Sequence, residues 1–299
     1  MAQNRRTLYN PFLGVEYLDR GGYAHIFRLP STEIVLKLSH RIVNGTAAED
    51  KRAAESLEIL RSERSVYDAL KAYPTHPNIV QCFLSTDIAI FLKFEPDTLW
   101  KRLDRRADDP ISDEQQFRWI REIASAATWL ESLDYFHGDL RPENILLDAT
   151  EHVKLCDFGR TSKRGTKIEV ATYPFYRPDD KAVAGATHEQ FAMGSCAFNI
   201  RTGEMPYGEW STPAEFRAIC DALRRGEYPP THDDAVLGDV ISSCWHARYK
   251  SIKDVEDAIE QAVGTLPPRA EVSLASSMTT EEFGVYVQQC QAFLDSQDL

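Results

Sequence analysis

The chain has 299 residues, enough for one large domain or two small ones with a sizeable core. Hydrophobic residues make up 43% and charged residues 27%, ordinary globular usage that excludes the disordered and fibrous classes. With 34 Lys and Arg against 46 Asp and Glu the net charge is −12, which argues against nucleic acid or an anionic membrane as a partner.

No apolar run approaches the roughly 18 residues of a membrane span, and Arg5 and Arg6 precede no apolar signal-peptide core. Cys82, Cys156, Cys196, Cys220, Cys244 and Cys290 lie scattered without a CxxC pair. They read as reduced thiols, so the expected setting is cytoplasmic, with a nuclear one left open.

Residues 14–38 alternate apolar and polar residues around glycines: VEYL, Asp19-Arg20-Gly21-Gly22, HIFRL, then EIVLKL. That is a hairpin pattern. Residues 47–71 lack Gly and Pro and predict a long helix with Leu60, Tyr67 and Leu70 on its inner stripe. Glu63 falls on that stripe. It either meets a cation in the core or reaches water at the stripe's edge, and periodicity leaves both open.

Residues 76–94 return to short strands, NIVQCF and IAIFLKF, which Pro96-Asp97 breaks as a connector to a second part would. Ser112 with Gln115 reads as a capping box for a helix carrying Phe117, Ile120, Ala124, Ala127 and Leu130. Two short strands, NILL and HVKL, bracket Asp148, and beyond residue 185 the chain reads as mostly helical. The last segment opens with Thr279 and Glu282 as a capping box. It gathers Phe283, Tyr286, Val287, Cys290, Phe293 and Leu294 on one face, for core packing or for a partner.

The stretch HGDLRPENILLD followed by EHVKLCDFG, residues 137–159, carries the chemistry. Phosphoryl transfer needs a carboxylate beside the acceptor hydroxyl and oxygen ligands for metals on the phosphates. Asp139 and Asn144 stand five apart on a loop, and a strand pair brings Asn144 beside Asp157. Each alone is ordinary turn chemistry; the joint pattern is specific.

On these residues the chain resembles the eukaryotic-type protein kinase family over roughly residues 12–262. Asp157-Phe158-Gly159 stands intact, Ile34-Val35-Leu36-Lys37 is similar to the family's lysine strand, and Glu63 to its helix glutamate. HPNIV from His76, Thr172 to Asp179, Glu189 to Gly194, Thr202-Gly203 and Cys244-Trp245 follow in family order. The likeness is greatest to small, divergent members with little beyond the catalytic domain.

The resemblance implies an α+β, bilobal fold: a small β-rich N-lobe with one long helix, about 12–95, and a larger, mostly helical C-lobe, about 96–262. Residues 1–11 would be an N-terminal extension and 263–299 a C-terminal one with an amphipathic helix at about 280–295. It implies a monomeric enzyme that transfers the γ-phosphate of ATP, with Mg²⁺, to a Ser or Thr hydroxyl of a protein. Asp139 would orient the hydroxyl, Arg141 would sit near the γ-phosphate, and Lys37, held by Glu63, would grip the α- and β-phosphates. Asn144 and Asp157 would hold metal. Leu18, Gly21 and Gly22 would cover the nucleotide, Ile26, Val35 and Leu146 would sandwich adenine, and Lys93 to Glu95 would offer backbone bonds to it. Tyr67, Cys82, His137 and Phe158 would stack as an apolar spine.

Departures are equally specific. The family's G-x-G-x-x-G is here Asp19-Arg20-Gly21-Gly22-Tyr23-Ala24, with a carboxylate near the phosphates. Gly138 replaces the arginine that would pair with a phosphorylated segment, so Thr161, Ser162, Thr166 or Thr172 cannot use it as a switch. Arg248 is the expected partner of Asp179. Two other readings follow from these changes: a pseudokinase scaffold, and a small-molecule phosphotransferase of the aminoglycoside or choline kinase type, where His-Gly-Asp is common.

Overall fold

Alternation over residues 16–39 becomes three strands, β1 (Glu16–Arg20), β2 (Ala24–Arg28) and β3 (Ile34–Ser39), in a computed structural model. Its described residues are 7–8, 10–43, 45–168, 172–178, 182–264 and 278–297. With β4 (Cys82–Ser85) and β5 (Ala89–Lys93) the strands form one antiparallel sheet in the order β1-β2-β3-β5-β4. The two-residue period gives it two distinct faces. Ile34, Leu36 and Leu38 bury on one, with Phe27, Leu29, Phe83 and Phe91. Val35 and Lys37 occupy the other, Lys37 opposite Ile26 and Ile90, and Val35 opposite Arg28 and Leu92.

The long helix α1 (Ala47–Leu70) starts at a complete capping box, Thr46 accepting from the Glu49 amide and Glu49 accepting from that of Thr46. Its buried stripe is Ser56, Leu60, Glu63, Val66, Tyr67 and Leu70. Glu63 is therefore inside, not at the edge.

Past Pro96 a short strand, β6 (Asp97–Thr98), leads into α2 (Leu99–Asp104). The helix α3 (Asp113–Ser132) follows. Its predicted capping box is only half formed. Ser112 accepts from the Gln115 amide, but the Gln115 side chain accepts from Arg118 and donates to the Glu151 carbonyl at 3.2 Å. The strands β7 (Tyr135–Phe136), β8 (Ile145–Leu147) and β9 (Val153–Leu155) carry the central loops. β8 pairs with β6 and β9, and β7 pairs with β10 (Ser162–Lys163).

The lower lobe is built on α4 (Ala186–Thr202), buried along most of its length, with α5 (Pro213–Arg225), α6 (Gly238–Trp245) and α7 (Ile252–Gly264) around it. The indole of Trp245 donates to Ser195 Oγ at 3.0 Å, and that hydroxyl donates to the Pro174 carbonyl at 3.1 Å. Asp179, and with it the Asp179–Arg248 pairing, lies outside the described residues, as do Arg5 and Arg6.

The last helix, α8 (Thr280–Asp295), returns to the upper lobe. Cys290 is fully buried on the sheet's outer face, and Phe283, Tyr286, Val287, Phe293 and Leu294 pack with it. Phe83 and Tyr286 stack at 4.5 Å. Of the two readings of this helix, core packing is the one realised. Among the described residues no helix is long and apolar enough to cross a membrane, and all six cysteines are free.

Candidate active site

Lys37, on the cleft face of β3, reaches Glu63 of α1 at 2.5 Å and Asp157 Oδ1 at 2.9 Å. Burial alone would lower the lysine's pKa, but the two carboxylates outweigh it and hold the ammonium charged. Asp157 is likewise penalised by burial, and the Lys37 charge reverses that and keeps its carboxyl below the ordinary range. Burial pushes Glu63 up, to about 7, against the pull of Lys37. The Lys37–Asp157 bond thus joins two charged groups.

Asp157 sits at φ 63°, a left-handed conformation that costs a non-glycine residue on the order of 1–3 kcal/mol. The turn after it, Phe158–Arg160, packs on α1. A Cβ at Gly159 would lie 2.6 Å from Ile59 Cγ2, so this approach needs glycine. Phe158 is fully buried, with Tyr67 at 5.2 Å and His137 at 5.3 Å between ring centroids. Three members of the expected spine meet there, and Cys82 is buried in the same core.

The Asp139 carboxylate is held from two sides. Asn144 Nδ2 donates to its Oδ2 at 3.0 Å and to its carbonyl at 2.8 Å, and Arg141 Nε lies 3.5 Å from Oδ2. Arg141 also pairs with Glu143 at 3.2 Å. The Cys156 amide donates to the Asn144 carbonyl at 3.0 Å, which sets Asn144 beside the strand that delivers Asp157. Beneath the loop, the buried Glu189 accepts from the His137 and Gly138 amides at 3.0 and 3.2 Å. Asp139 and Thr172 line one cavity with Phe175 and His188.

Asn144 turns its NH₂ toward Asp139, so its side-chain oxygen is left for a cation. Asn144 oxygen and Asp157 carboxylate are hard donors that suit Mg²⁺. Among the described residues no group of three or more His, Cys, Asp or Glu could hold a metal by itself.

Ile26, Val35 and Leu146 are half-buried, whereas Phe27, Leu36 and Leu147 beside them are buried, so an apolar cleft wall is left open. Leu18, 38% exposed, sits at the bulge of β1, and Gly21 closes the following turn through its amide on Ala24 O. The Lys93 side chain turns away from the cleft. Opposite Ile34, it faces the outer side, pairs with Glu33 at 2.9 Å and donates to Tyr286 Oη at 3.2 Å. The Lys93 and Phe94 amides donate to Gln81 and Glu33 carbonyls. Of the hinge donors Glu95 N–H is the one without a partner among the described residues. Burial pushes the Glu95 carboxyl up to about 7.

Sequence reading missed the residues that tether the glycine turn. Ser56 of α1 donates to the Tyr23 carbonyl and accepts from the His40 amide, and Arg160 stacks on the Tyr23 ring at 4.9 Å. Ser56 lies four residues before Leu60, on the inner stripe, which was the available signal.

A sheet-over-helices fold with a Lys–Glu–Asp cluster at the junction, above a loop carboxylate, is that of a two-lobed phosphotransferase. The protein kinase domain family matches residues 15–258, and the chain belongs to that family. It is similar to the serine/threonine-protein kinase GIN4 of Saccharomyces cerevisiae, 27% identical over 54% of this chain and 15% of that protein. It is also similar to the probable serine/threonine-protein kinase SIS8 of Arabidopsis thaliana, 25% identical over 89% of this chain and 27% of that one. The probable serine/threonine-protein kinase PknB of Lactococcus lactis matches at 25% over 69% of this chain and 34% of its own length. The chain therefore spans about a third or less of the length of these relatives.

Proposed function

We propose that this chain is a protein kinase that transfers the γ-phosphate of Mg-ATP to a Ser or Thr hydroxyl of a protein. The observation that carries the reading is the Asp139 carboxylate, fixed by Asn144 and Arg141 and sharing a cavity with Thr172. Asp139 orients the acceptor hydroxyl and takes its proton. Lys37, kept charged by Glu63 and Asp157, grips the α- and β-phosphates, and Arg141 steadies the γ-phosphate. The cleft wall of Ile26, Val35 and Leu146 takes adenine, with Leu18 and the Gly21-Gly22 turn above and the Glu95 amide at the hinge. Asn144 and Asp157 would hold Mg²⁺, which when bound neutralises phosphate charge.

The names of the relatives, all serine/threonine kinases, favour a Ser or Thr acceptor. Residues 12–262 form the proposed catalytic domain, with lobes meeting near 95 and 96. The flanks are 1–11 and 263–299. Free thiols suit a reducing compartment such as the cytoplasm, and a monomer suffices for the site. The His-Gly-Asp likeness to small-molecule phosphotransferases has a local cause, because Gly138 is demanded by its contact with Arg160. Labelled Mg-ATP offered with basic proteins and with small hydroxyl compounds tests the reading. Transfer to protein Ser or Thr is the expected result; transfer only to small molecules, or none, overturns it.

A further inference from the structure

α8 lies beyond residues 15–258, which the protein kinase domain family matches, so the family does not account for it. Along most of its length it meets the upper sheet through apolar side chains. Phe293 lies 5.7 Å from Phe12 and 6.2 Å from Phe91, and Phe283 lies 5.6 Å from Phe83. At one place the contact is polar. Lys93 Nζ donates to Tyr286 Oη at 3.2 Å and lies 5.1 Å from the centre of that ring. The ring itself stacks on Phe83, 4.5 Å away and 12° from parallel. Among the described residues this is the one hydrogen bond from α8 to the sheet. Apolar contacts carry no direction, whereas a hydrogen bond from a clamped ring fixes a position.

Lys93 is the last residue of β5, where the chain enters the hinge. Its ammonium also pairs with Glu33 at 2.9 Å, Glu33 pairs with Arg28 at 3.4 Å, and Arg28 lies 4.1 Å above the Phe94 ring. On the main chain, the Lys93 and Phe94 amides donate to the Gln81 and Glu33 carbonyls at 2.9 and 2.8 Å. One network thus runs from Tyr286 through Lys93, Glu33 and Arg28 to Phe94, the residue before Glu95. Leu92, adjacent to Lys93 and on the other face of β5, stands opposite Val35 of the cleft wall.

From these contacts the geometry points to Tyr286 as a positioning residue for the adenine ring: by fixing Lys93 it sets the Glu95 amide against the cleft wall. The inference rests on the nucleotide part of the kinase reading above, which supplies the adenine. A hinge N–H serves adenine only within about 2.7–3.2 Å and near linearity, so a shift of about 1 Å in the strand entering the hinge loses the bond. In that reading the phosphates are gripped by Lys37 and the catalytic loop, groups that Tyr286 does not touch. The effect of Tyr286 is therefore confined to the adenosine half of the nucleotide.

Direct titration of the full chain with adenosine and, separately, with Mg-tripolyphosphate divides the two halves. Tyr286→Phe keeps the ring on Phe83 and removes the hydroxyl. It should weaken adenosine about fivefold, the worth of one ordinary hydrogen bond, and leave tripolyphosphate unchanged. In turnover the same variant should raise KM for ATP and keep kcat. Lys93→Met tests the route: because Tyr286 acts through the ammonium, adding Tyr286→Phe to Lys93→Met should weaken adenosine no further. The inference is overturned, with the kinase reading intact, if wild type binds both ligands and Tyr286→Phe binds adenosine as tightly. It is likewise overturned if Tyr286→Phe weakens both ligands equally, as general loosening would, or if the effects of the two substitutions add. A wild type that binds no adenosine overturns it together with the nucleotide part of that reading.

Discussion

Gly138 passes so close to Arg160 that a Cβ built on the glycine would lie 2.6 Å from the arginine's carbonyl oxygen. The same residue has φ +76°, a region that L side chains rarely adopt. The glycine in the His-Gly-Asp loop is therefore required by two independent features. Gly138→Ala should destabilise the fold by about 1–3 kcal/mol, read by denaturant unfolding, through strain at this φ and displacement of the segment that follows Asp157. Stability within ~0.5 kcal/mol of wild type would mean that the Arg160 backbone yields without cost.

That contact also bears on regulation. With Gly at 138, no arginine stands there to pair with a phosphorylated residue of the segment at 161–172. The nearby Arg164 is engaged with Asp134 at 3.2 Å and Glu131 at 3.5 Å. Phosphatase-treated protein should therefore keep most of its activity. A loss of more than about tenfold, restored by rephosphorylation, would point to another cation that releases its partner to take the phosphate.

The Glu95 carboxyl has a folded pKa near 7 where its ordinary value is 4.5, with burial the leading cause. The folded state thus binds the proton more tightly than the unfolded one. Ionising Glu95 costs stability, and that cost is absent below the ordinary value, grows through the window between 4.5 and 7, and is complete above it. Glu95→Gln should match wild type in stability at pH 4.5 and exceed it at pH 8, by on the order of 1–3 kcal/mol. Because Glu63 shifts in the same direction, the variant keeps a part of the slope. Equal stability of the two proteins at both pH values would remove the carboxyl from this account.

What the sequence could disclose divides along physical lines. Glu63 was legible as an acid on an apolar stripe, and Lys37 by alternation on the same strand face as Val35, because period alone assigns faces. The identity of the partner was not: periodicity left Glu63 a choice between cation and water, and the fold decided it. Lys93 alternates with Leu92 and so faces away from the cleft, a reading available from the same rule. Hidden instead were contacts between segments distant in sequence. The face of α8 was visible as Phe283, Tyr286 and Cys290, but nothing local says that it covers the upper sheet. Gly138 was visible as a missing arginine, whereas its steric cause lies in the backbone of Arg160.

The last prediction separates binding from chemistry at neighbouring acids. Asp139 is held by Asn144 and Arg141 and is the proposed base for the acceptor hydroxyl, whereas Asp157 bonds Lys37 and is proposed to act with it on the phosphates and their metal. Mg-ATP at ~100 times its dissociation constant should stabilise wild type by about 2.7 kcal/mol, at about 2–4 °C per kcal/mol a rise of several degrees. Asp139→Asn should keep that rise and lose about 10²-fold or more in rate, the scale of a positioned base. Asp157→Asn should lose rate and most of the rise, since removing the carboxylate weakens metal and nucleotide together. Lys37→Met should also lose the rise and, by leaving Glu63 buried without its cation, lower the melting temperature of the free protein. Two patterns would refute the assignment. Equal melting shifts in Asp139→Asn and Asp157→Asn would erase the division of labour between the two acids. Equal activity in wild type and Asp139→Asn would show that phosphorylation comes from a contaminant, because no kinase reading of this loop survives the loss of its base without a change in rate.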